Sequence, residues 1–431
     1  MDVKLQQLHY FGAYIDFTKM KSWLMIKLYI FTLLLPVMLF AQSSIISNIP
    51  IPKTYIQNLD PYPCDENCMQ TYLENGMIFS FLAHAEAKLE NEQHDEIRKM
   101  SVSILNLGSY IIGDKVRIAL LLPYKIIGRY ASSTTDASFA YLIAKNHSFE
   151  LKSYKIESED IDDIKKALEE ISKDGFKYVI APFTQKGADA ISEINPEMNI
   201  FFPTINKKDV TSTSSYLYYG GIDYQAQSDM LLKEARSPLV IFYDDTTIGN
   251  KLSQYEEKTF LTTNDATSKK NVVKFAIPKR TTNLEKQLKA NKRIFEGSFF
   301  INTPIVKTGM IMSQLTLYET NATKVLSTQI NYDPLILSIT QYEDRKNMII
   351  ANSITENNNI LIETNLLLGN DIVYDWINYT TTVGVDYFYS RATRAEREYE
   401  IKLQDNQMIY PIELLNPSRY RFVKYNSRFK E

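Results

Sequence analysis

Four histidines in 431 residues leave little room for imidazole chemistry. His9 lies in the leader, His84 and His94 in an N-terminal helical stretch, and His147 in a loop ahead of a strand, so no imidazole base follows residue 147. A Ser-His or Cys-His hydrolase in the remaining chain is thereby disfavoured, because each needs an imidazole within reach of its nucleophile. The P-loop, the dinucleotide fingerprint and HExxH are also absent. The expectation is a protein that is not an enzyme and carries no cofactor. Cysteine is scarcer still: Cys64 and Cys68, in "YPCDENCMQTYL", are the only two, and a zinc site would need two further ligands, so no metal is expected. An excess of one charge is missing as well. With 48 basic against 51 acidic residues there is no electrostatic footprint for nucleic acid, and no such partner is expected. Glycine is limited to 14, yet two stand side by side in "YYGGIDYQAQSD", Gly220 and Gly221. Such a pair marks a backbone that bends sharply or lets something approach closely.

What is present describes a globular chain: 45% hydrophobic and 23% charged residues, with 29 Tyr and 21 Phe suggesting a Tyr-rich surface or cleft. The length suits two domains, or one two-lobed domain, at about 100 to 200 residues per domain. Near the N-terminus, "MKSWLMIKLYIFTLLLPVMLFAQSS" places Lys21 and Lys27 before an apolar run from Leu28 to Phe40. That run has the length of a secretory core and is short for a membrane span, so export to the periplasm with cleavage after Ala41 is expected. Met20 is an alternative start to Met1, and an uncleaved leader would be the chain's route to a membrane. In an oxidising compartment the pair Cys64 and Cys68 reads as a disulfide, since a spacing of four puts both on one helical turn.

Residues 1–41 are thus leader and signal peptide, and 42–114 a linker and N-terminal helical segment in which Met77, Phe81 and Leu82 share a face interrupted by Gly76. From Lys115 the pattern alters. "VRIALLLP" is a continuously apolar run of the kind buried in a parallel sheet. A loop, "YKIIGRYASSTTD", leads to a helix with Phe139, Leu142 and Ile143 on one face. The strand "FELKSYKI" follows, then a helix with Ile161, Ile164, Leu168 and Ile171 at helical spacing and Gly175 just past its end. "KYVIAP", a short helix near "GADAISEI" and "NIFFPTI" complete the first run. After the glycine pair the alternation restarts with "SPLVIFYDD", "NKLSQYEEKTFL", "NVVKFAIP", "NLEKQLKANKRI", "GSFFINTP" and "KTGMIMSQLTLY". "KVLSTQI" and "NMIIANSI" read as further strands and "DIVYDWINYTTTVGVDYFY" as a helix. Two such runs imply two doubly wound α/β lobes. Lobe 1 spans about 115–221 plus 355–395 and lobe 2 about 222–354, within a region 115–395. The tail, 396–431, reads as a terminal hairpin turning at Asp405 and Asn406.

The stretches "VRIALLLPYKIIGRYA", "YVIAPFTQKGADAI", "IFFPTIN", "YYGGIDYQAQSDMLLKEA" and "PLVIFYDDTTIGNKL" resemble, in content and order, the type I periplasmic binding proteins, and most of all the branch containing the penicillin-binding-protein activators. The resemblance covers roughly Lys115 to Ser390 and implies two lobes closing over a cleft at the carboxyl ends of the strands, where open α/β sheets generally bind ligands. It makes Gly220 and Gly221 hinge candidates at the crossing to the second lobe, with Asp223 capping the next helix. The candidates for the cleft are Ser132 and Ser133 after the first strand, and Thr184 and Gln185 after the third, at a helix N-terminus suited to a ligand carboxylate. Asp223, Asp244 and Thr246, then Asn302 and Thr303, complete the set. The alternative for each is a cap or a polar loop residue, and for the glycines a tight turn.

The chain departs from amino-acid receptors of this family at Ile127, where they usually carry Ser before the Gly of the first loop, and at "FTQKG", where they favour serine. Two functions follow: a binding protein for a small polar ligand, or a cell-envelope interaction protein resembling activators of penicillin-binding proteins. The helical segment before Lys115 favours the second, and the missing lipid-attachment Cys counts against close equivalence to it. An enzyme using Asp244 and Asp245 is weaker, because adjacent residues at a strand end point to opposite faces.

Overall fold

The structure is a computed structural model, and it describes residues 64–426 apart from 86, 106, 108–114, 146 and 264–270, together with the isolated positions 56 and 62. The leader, the cleavage point after Ala41 and the alternative start at Met20 lie outside the described residues. In the N-terminal segment, α1 (Glu66–Glu74) begins at the N-cap Asp65, whose carboxylate accepts from the Cys68 amide at 2.9 Å. Cys64 and Cys68 are joined by a disulfide with Cα atoms 5.3 Å apart. Gly76 takes φ +68° between α1 and α2 (Ile78–His84), a left-handed conformation that ends one helix and starts the next. Phe81 and Leu82 are buried while Met77 stays outside at α2's N-cap. Helix α3 (Glu92–Leu105) carries a buried ion pair, Arg98 Nε to Asp95 Oδ1 at 2.7 Å. Burial alone would raise the Asp95 carboxyl, but hydrogen bonds from Lys99 and Arg98 hold it down at about 2.

The first sheet starts with β1 (Val116–Pro123) and β2 (Phe149–Ile156), paired in parallel from Val116 opposite Phe149 to Pro123 opposite Ile156. It continues through β3 (Tyr178–Ile180), β4 (Asn199–Phe202) and β5 (Leu217–Tyr219), all parallel. The apolar run of β1 is explained by cover on both faces. Ala119 and Leu121 enter one core with Ile164, Leu168 and Ile171 of α6 (Ile161–Lys173) and Ile191 of α7 (Gln185–Ile194). Val116, Ile118, Leu120 and Leu122 enter the other, against Tyr141 of α5 (Tyr130–Ala144), Leu361 of α14 and Tyr379 and Val383 of α15, the last two helices spanning Asn359–Leu367 and Trp376–Thr393. A short turn, α4 (Tyr124–Ile127), precedes α5.

The second sheet consists of β6 (Leu239–Tyr243), β7 (Val272–Ala276), β8 (Ser298–Asn302), β9 (Lys324–Ser327) and β10 (Met348–Asn352), also parallel. One face packs on α8 (Tyr224–Leu232) and α9 (Thr247–Thr263), through Leu231, Leu232 and Phe260. The other packs on α10 (Glu285–Leu288), α11 (Ile305–Leu317) and α12 (Leu335–Ile339), and α13 (Tyr342–Arg345) follows. The architecture is two doubly wound α/β lobes with a small helical segment ahead of them.

The tail goes beyond a single hairpin. β11 (Lys402–Gln404) and β12 (Gln407–Ile409) form the hairpin turning at Asp405 and Asn406, and β12 lies parallel to β5 on the first sheet. β13 (Glu413–Pro417) and β14 (Phe422–Lys424) form a second hairpin on β10 of the other sheet. The chain therefore passes between the sheets three times: at Gly220–Asp223 after β5, after Asn352 at the end of β10, and from Tyr410 to Ile412 between the hairpins.

Several local expectations are corrected. "NLEKQLKANKRI" is helical only over α10, since Lys289 turns extended and Ala290 takes positive φ. The loop containing Ser132 and Ser133 is instead the first turn of α5. In that helix Phe139 and Ile143 are partly exposed, because helical phase puts Thr134, Ala137, Ser138, Tyr141 and Leu142 on the buried side. Ile161, at the first position of α6, faces outward for the same reason of helical phase.

Candidate functional site

The segments that follow β5, β9 and β10 meet beside the crossings between lobes. Backbone groups there are held by amide side chains. Gln227 Nε2 donates to Ser353 Oγ at 2.8 Å, and Gln227 Oε1 accepts from the Gln329 amide at 2.9 Å. Gln329 in turn accepts from the Ser353 amide at 2.6 Å and donates to Asn352 Oδ1 at 3.1 Å. All four side chains are buried, so loss of one partner would strand the other at about 1–3 kcal/mol. Nothing in a period-2 or period-3.6 pattern marks these glutamines, because their partners lie 23 to 126 residues away.

The candidates foreseen in the sequence are placed as follows. Ser132 is exposed and its hydroxyl donates back to the Arg129 carbonyl at 2.8 Å, and half-buried Ser133 sits beside it. Thr184 is the N-cap of α7, but the N-terminus of that helix is already answered by the chain: buried Glu159 accepts from the Thr184 amide at 2.8 Å and from its hydroxyl. Gln185 donates to the Asp209 carbonyl. Asp223 caps α8, accepting from the Ala226 amide at 3.0 Å, and pairs with Lys208. Asp244 accepts from the amide and the hydroxyl of Thr246, at 3.2 and 2.5 Å, and the Thr246 hydroxyl accepts from the Gly249 amide at 3.0 Å, which starts α9.

Asn302 and Thr303 are fully buried. Asn302 Nδ2 donates to Glu256 Oε2 at 2.6 Å, and the Ser228 hydroxyl approaches Glu256 Oε1 at 3.3 Å. Desolvation raises the Glu256 carboxyl well above its ordinary value, hydrogen bonds from Asn302 and Ser228 opposing only in part. Thr303 shares hydroxyls with Thr308 at 2.9 Å, and its carbonyl accepts from Asn331 Nδ2 at 3.2 Å. Three buried oxygens at this edge, Asn302 Oδ1, Asn331 Oδ1 and Thr328 Oγ1, have no hydrogen-bond partner among the described residues.

The glycine pair answers to close approach. Neither residue takes positive φ. A Cβ on Gly220 would stand 2.4 Å from the Phe201 ring and 2.6 Å from Thr380 Oγ1, and one on Gly221 would stand 2.3 Å from the Ile205 carbonyl carbon and 2.4 Å from the Asn206 nitrogen. What comes near is the protein's own chain.

A second group at the crossings is aromatic and escaped the sequence reading. Trp376, in the first turn of α15, packs on Tyr410 with ring centroids 4.7 Å apart and on Tyr379 at 5.6 Å. The turn touches each crossing: Thr380 donates to the Gly220 carbonyl at 2.9 Å, Tyr379 Oη meets Thr355 Oγ1 at 2.7 Å, and Tyr410 Oη meets Thr380 Oγ1 at 2.9 Å. Asp375 caps the helix, accepting from the Ile377 and Asn378 amides at 2.9 and 3.1 Å. Burial raises its carboxyl despite those bonds, and the charge of Arg129 opposes the rise. Tyr224, half-buried on α8, has its phenol pushed up to about 12 by desolvation and by nearby Tyr130, and burial pushes the Tyr410 phenol up as well. The high Tyr count was the one available signal.

Two mostly parallel seven-stranded sheets, joined by three crossings, settle the fold. The fold is that of the type I periplasmic binding proteins. No family model matches the chain, and no curated protein does. Among solved structures it is similar to one described as a branched-chain amino acid ABC transporter from Rhodospirillum rubrum, with TM-score 0.56, 10% identity, and 72% of this chain and 100% of that one covered. It is similar also to a branched-chain amino acid ABC transporter periplasmic ligand-binding protein from Burkholderia xenovorans LB400, with TM-score 0.54, 10% identity, and 72% and 95% covered. Full-length LpoA from Haemophilus influenzae aligns with TM-score 0.49 and 11% identity over 83% of this chain and 65% of that one. At such identities the likeness is one of fold. Among the described residues no helix is long and apolar enough to cross a membrane.

Proposed function

We propose that this chain is an exported, periplasmic binding protein without catalytic activity, whose lobes hold a small polar ligand that is not anchored through a carboxylate. The observation that carries this reading is Glu159. Its carboxylate takes the Thr184 amide and hydroxyl at the start of α7, the position where a ligand carboxylate would gain most from a helix N-terminus. A second anion there would meet like charge. The unpartnered buried oxygens at the second sheet's edge support a ligand that brings hydrogen-bond donors.

Thermal denaturation with a panel of free amino acids, peptides and neutral polar solutes tests the proposal. A ligand at one hundred times its dissociation constant stabilises the folded state by about 2.7 kcal/mol. Neutral solutes are expected to give the shift and leucine none. A leucine shift of that size in the unaltered chain would sink the carboxylate argument.

A second reading, an envelope protein that acts by gripping a partner, is favoured by the N-terminal segment. Phe79 and Met100 are 64% and 59% exposed there, on α2 and α3, the two helices that follow the disulfide-closed start of α1. A panel without any shift, from a chain that melts cooperatively, would move the weight to this reading.

A further inference from the structure

The chain as a whole sets 48 basic residues against 51 acidic, yet one surface of the second lobe departs from that balance. Between β7 and β8, the segment 279–293 exposes Lys279, Arg280, Lys286, Lys289, Lys292 and Arg293. It holds one carboxylate, Glu285, which pairs with Lys289 at 2.8 Å. Among the described residues the other five cations form no ion pair. A run that is merely solvated is usually laced with pairs of alternating sign, and this one is not.

The segment is fixed in place. Leu284, Leu288 and Ile294 are buried in a core with Ile311 and Leu315 of α11. Gln314 of α11 accepts from the Leu284 amide at 2.6 Å and donates to the Thr282 carbonyl at 3.1 Å, and Lys307 donates to the Thr281 carbonyl. With its apolar side chains turned in, the segment holds its cations outward along the flank of α11. That helix has one charge of its own, Lys307, and exposes Val306, Ser313 and Leu317 at i, i+7 and i+11, a single stripe about 16 Å long. Val306 and Leu317 are 66% and 68% exposed, and Phe295, in the turn after Arg293, is 48% exposed.

The adjoining segments do not cancel the charge. Their carboxylates are Glu296, Glu319, Asp333, Glu343 and Asp344. Glu343 pairs with Lys346, Asp333 accepts from the Leu335 amide, and Asp344 accepts from Ser313 and the Gln341 amide. On that side Arg419, over the Tyr342 ring at 5.3 Å, adds a further cation.

We propose that this face docks on an anionic phospholipid bilayer, its cations meeting headgroup phosphates and Phe295, Val306 and Leu317 entering the interfacial layer. The apolar side chains favour a bilayer over an acidic protein. They stand singly among charges, where a protein would need a matching groove for each and a bilayer needs none. The proposal is independent of what the lobes hold.

Flotation of the full chain with vesicles of phosphatidylcholine, alone or mixed with phosphatidylglycerol, tests it. Binding to the anionic vesicles is expected to be about tenfold tighter or more, and to lose that margin in about 1 M salt, where the screening length falls to about 3 Å. The triple variant Lys286→Glu, Lys292→Glu, Arg293→Glu is expected to lose the preference while melting as the parent does. Lys165→Glu, Lys166→Glu, Lys173→Glu makes the same charge change at exposed positions of α6 and is expected to keep it. The leader is common to all these chains and drops out of the comparison. Phe295→Ser with Leu317→Ser is expected to weaken anionic-vesicle binding about fivefold.

Equal binding of the parent to both vesicles overturns the proposal. So does equal loss in the two triple variants, which would be an effect of net charge alone. If the cations are needed and the apolar pair is not, the face meets a soluble acidic partner and the bilayer is overturned.

Discussion

Glu256 is the residue whose charge state the fold sets most strongly, and it offers a clean test of the second lobe's edge. Its carboxyl is raised well above the ordinary value of 4.5, mainly by desolvation, so the folded state keeps its proton where the unfolded chain has lost it. Stability from this group is therefore full below pH 4.5 and is lost as pH rises toward the folded value, at up to about 1.4 kcal/mol per pH unit. Glu256→Gln keeps an acceptor for Asn302 Nδ2 and turns an amide N–H toward the Ser228 hydroxyl, which donates to Glu256 in the parent, but has no charge to lose. The variant is expected to match the parent near pH 4 and to become the more stable of the two as pH approaches 8, read as the difference in denaturant midpoint. A difference that stays constant across that range would show that the carboxyl is not held neutral.

Among the elements, the turn after β5 is the least tolerant of change. Gly221→Ala places a methyl against the backbone of Ile205 and Asn206, which cannot move aside as a flexible side chain would, and the cost is expected to reach about 3 kcal/mol. Gly369→Ala, where a Cβ meets nothing within 4 Å, tests a different cost, that of φ +77° alone, and is expected to lose less. Equal midpoints for Gly221→Ala and the parent would show that the approach is looser than drawn. The glycine pair was visible in the sequence, whereas the chain that packs on it was not, since the Thr380 that bonds to Gly220 stands 160 residues away. The same contrast runs through the fold. β1 and α6 were legible because a buried parallel strand is apolar throughout and a helix over a sheet repeats Ile164, Leu168 and Ile171 at its own period. The inward stripe of α5 was not, since Ala137 and Ser138 carry no strong hydrophobic signal. Glu159, the partner of α7's N-cap Thr184, lies 25 residues before it in a different loop, and local pattern has no access to such a partner.

At the scale of the molecule, the question is what holds one lobe against the other, and a cluster of three rings supplies part of the answer. Tyr332, after β9, and Phe422, on β14, belong to the second lobe, and Tyr374, just before α15, belongs to the first. Tyr374 stands 5.2 Å from Tyr332 and 6.0 Å from Phe422, ring to ring, and the Tyr332–Phe422 pair within the second lobe is 4.8 Å apart. Each such pair adds about 0.5–1.5 kcal/mol beyond area burial, so the two that cross between lobes favour the joined arrangement by about 1–3 kcal/mol. That changes the ratio of closed to open molecules roughly 5- to 150-fold, the range over which a ligand could still shift the balance. Tyr374→Ala removes both crossing pairs and leaves each lobe's core intact. It is expected to enlarge the radius of gyration measured by X-ray scattering and to split a single calorimetric transition into two, while Tyr420→Ala, at a ring 88% exposed on the same tail, changes neither. If Tyr374→Ala scatters and melts as the parent does, the two ring pairs that cross between the lobes do not hold them together.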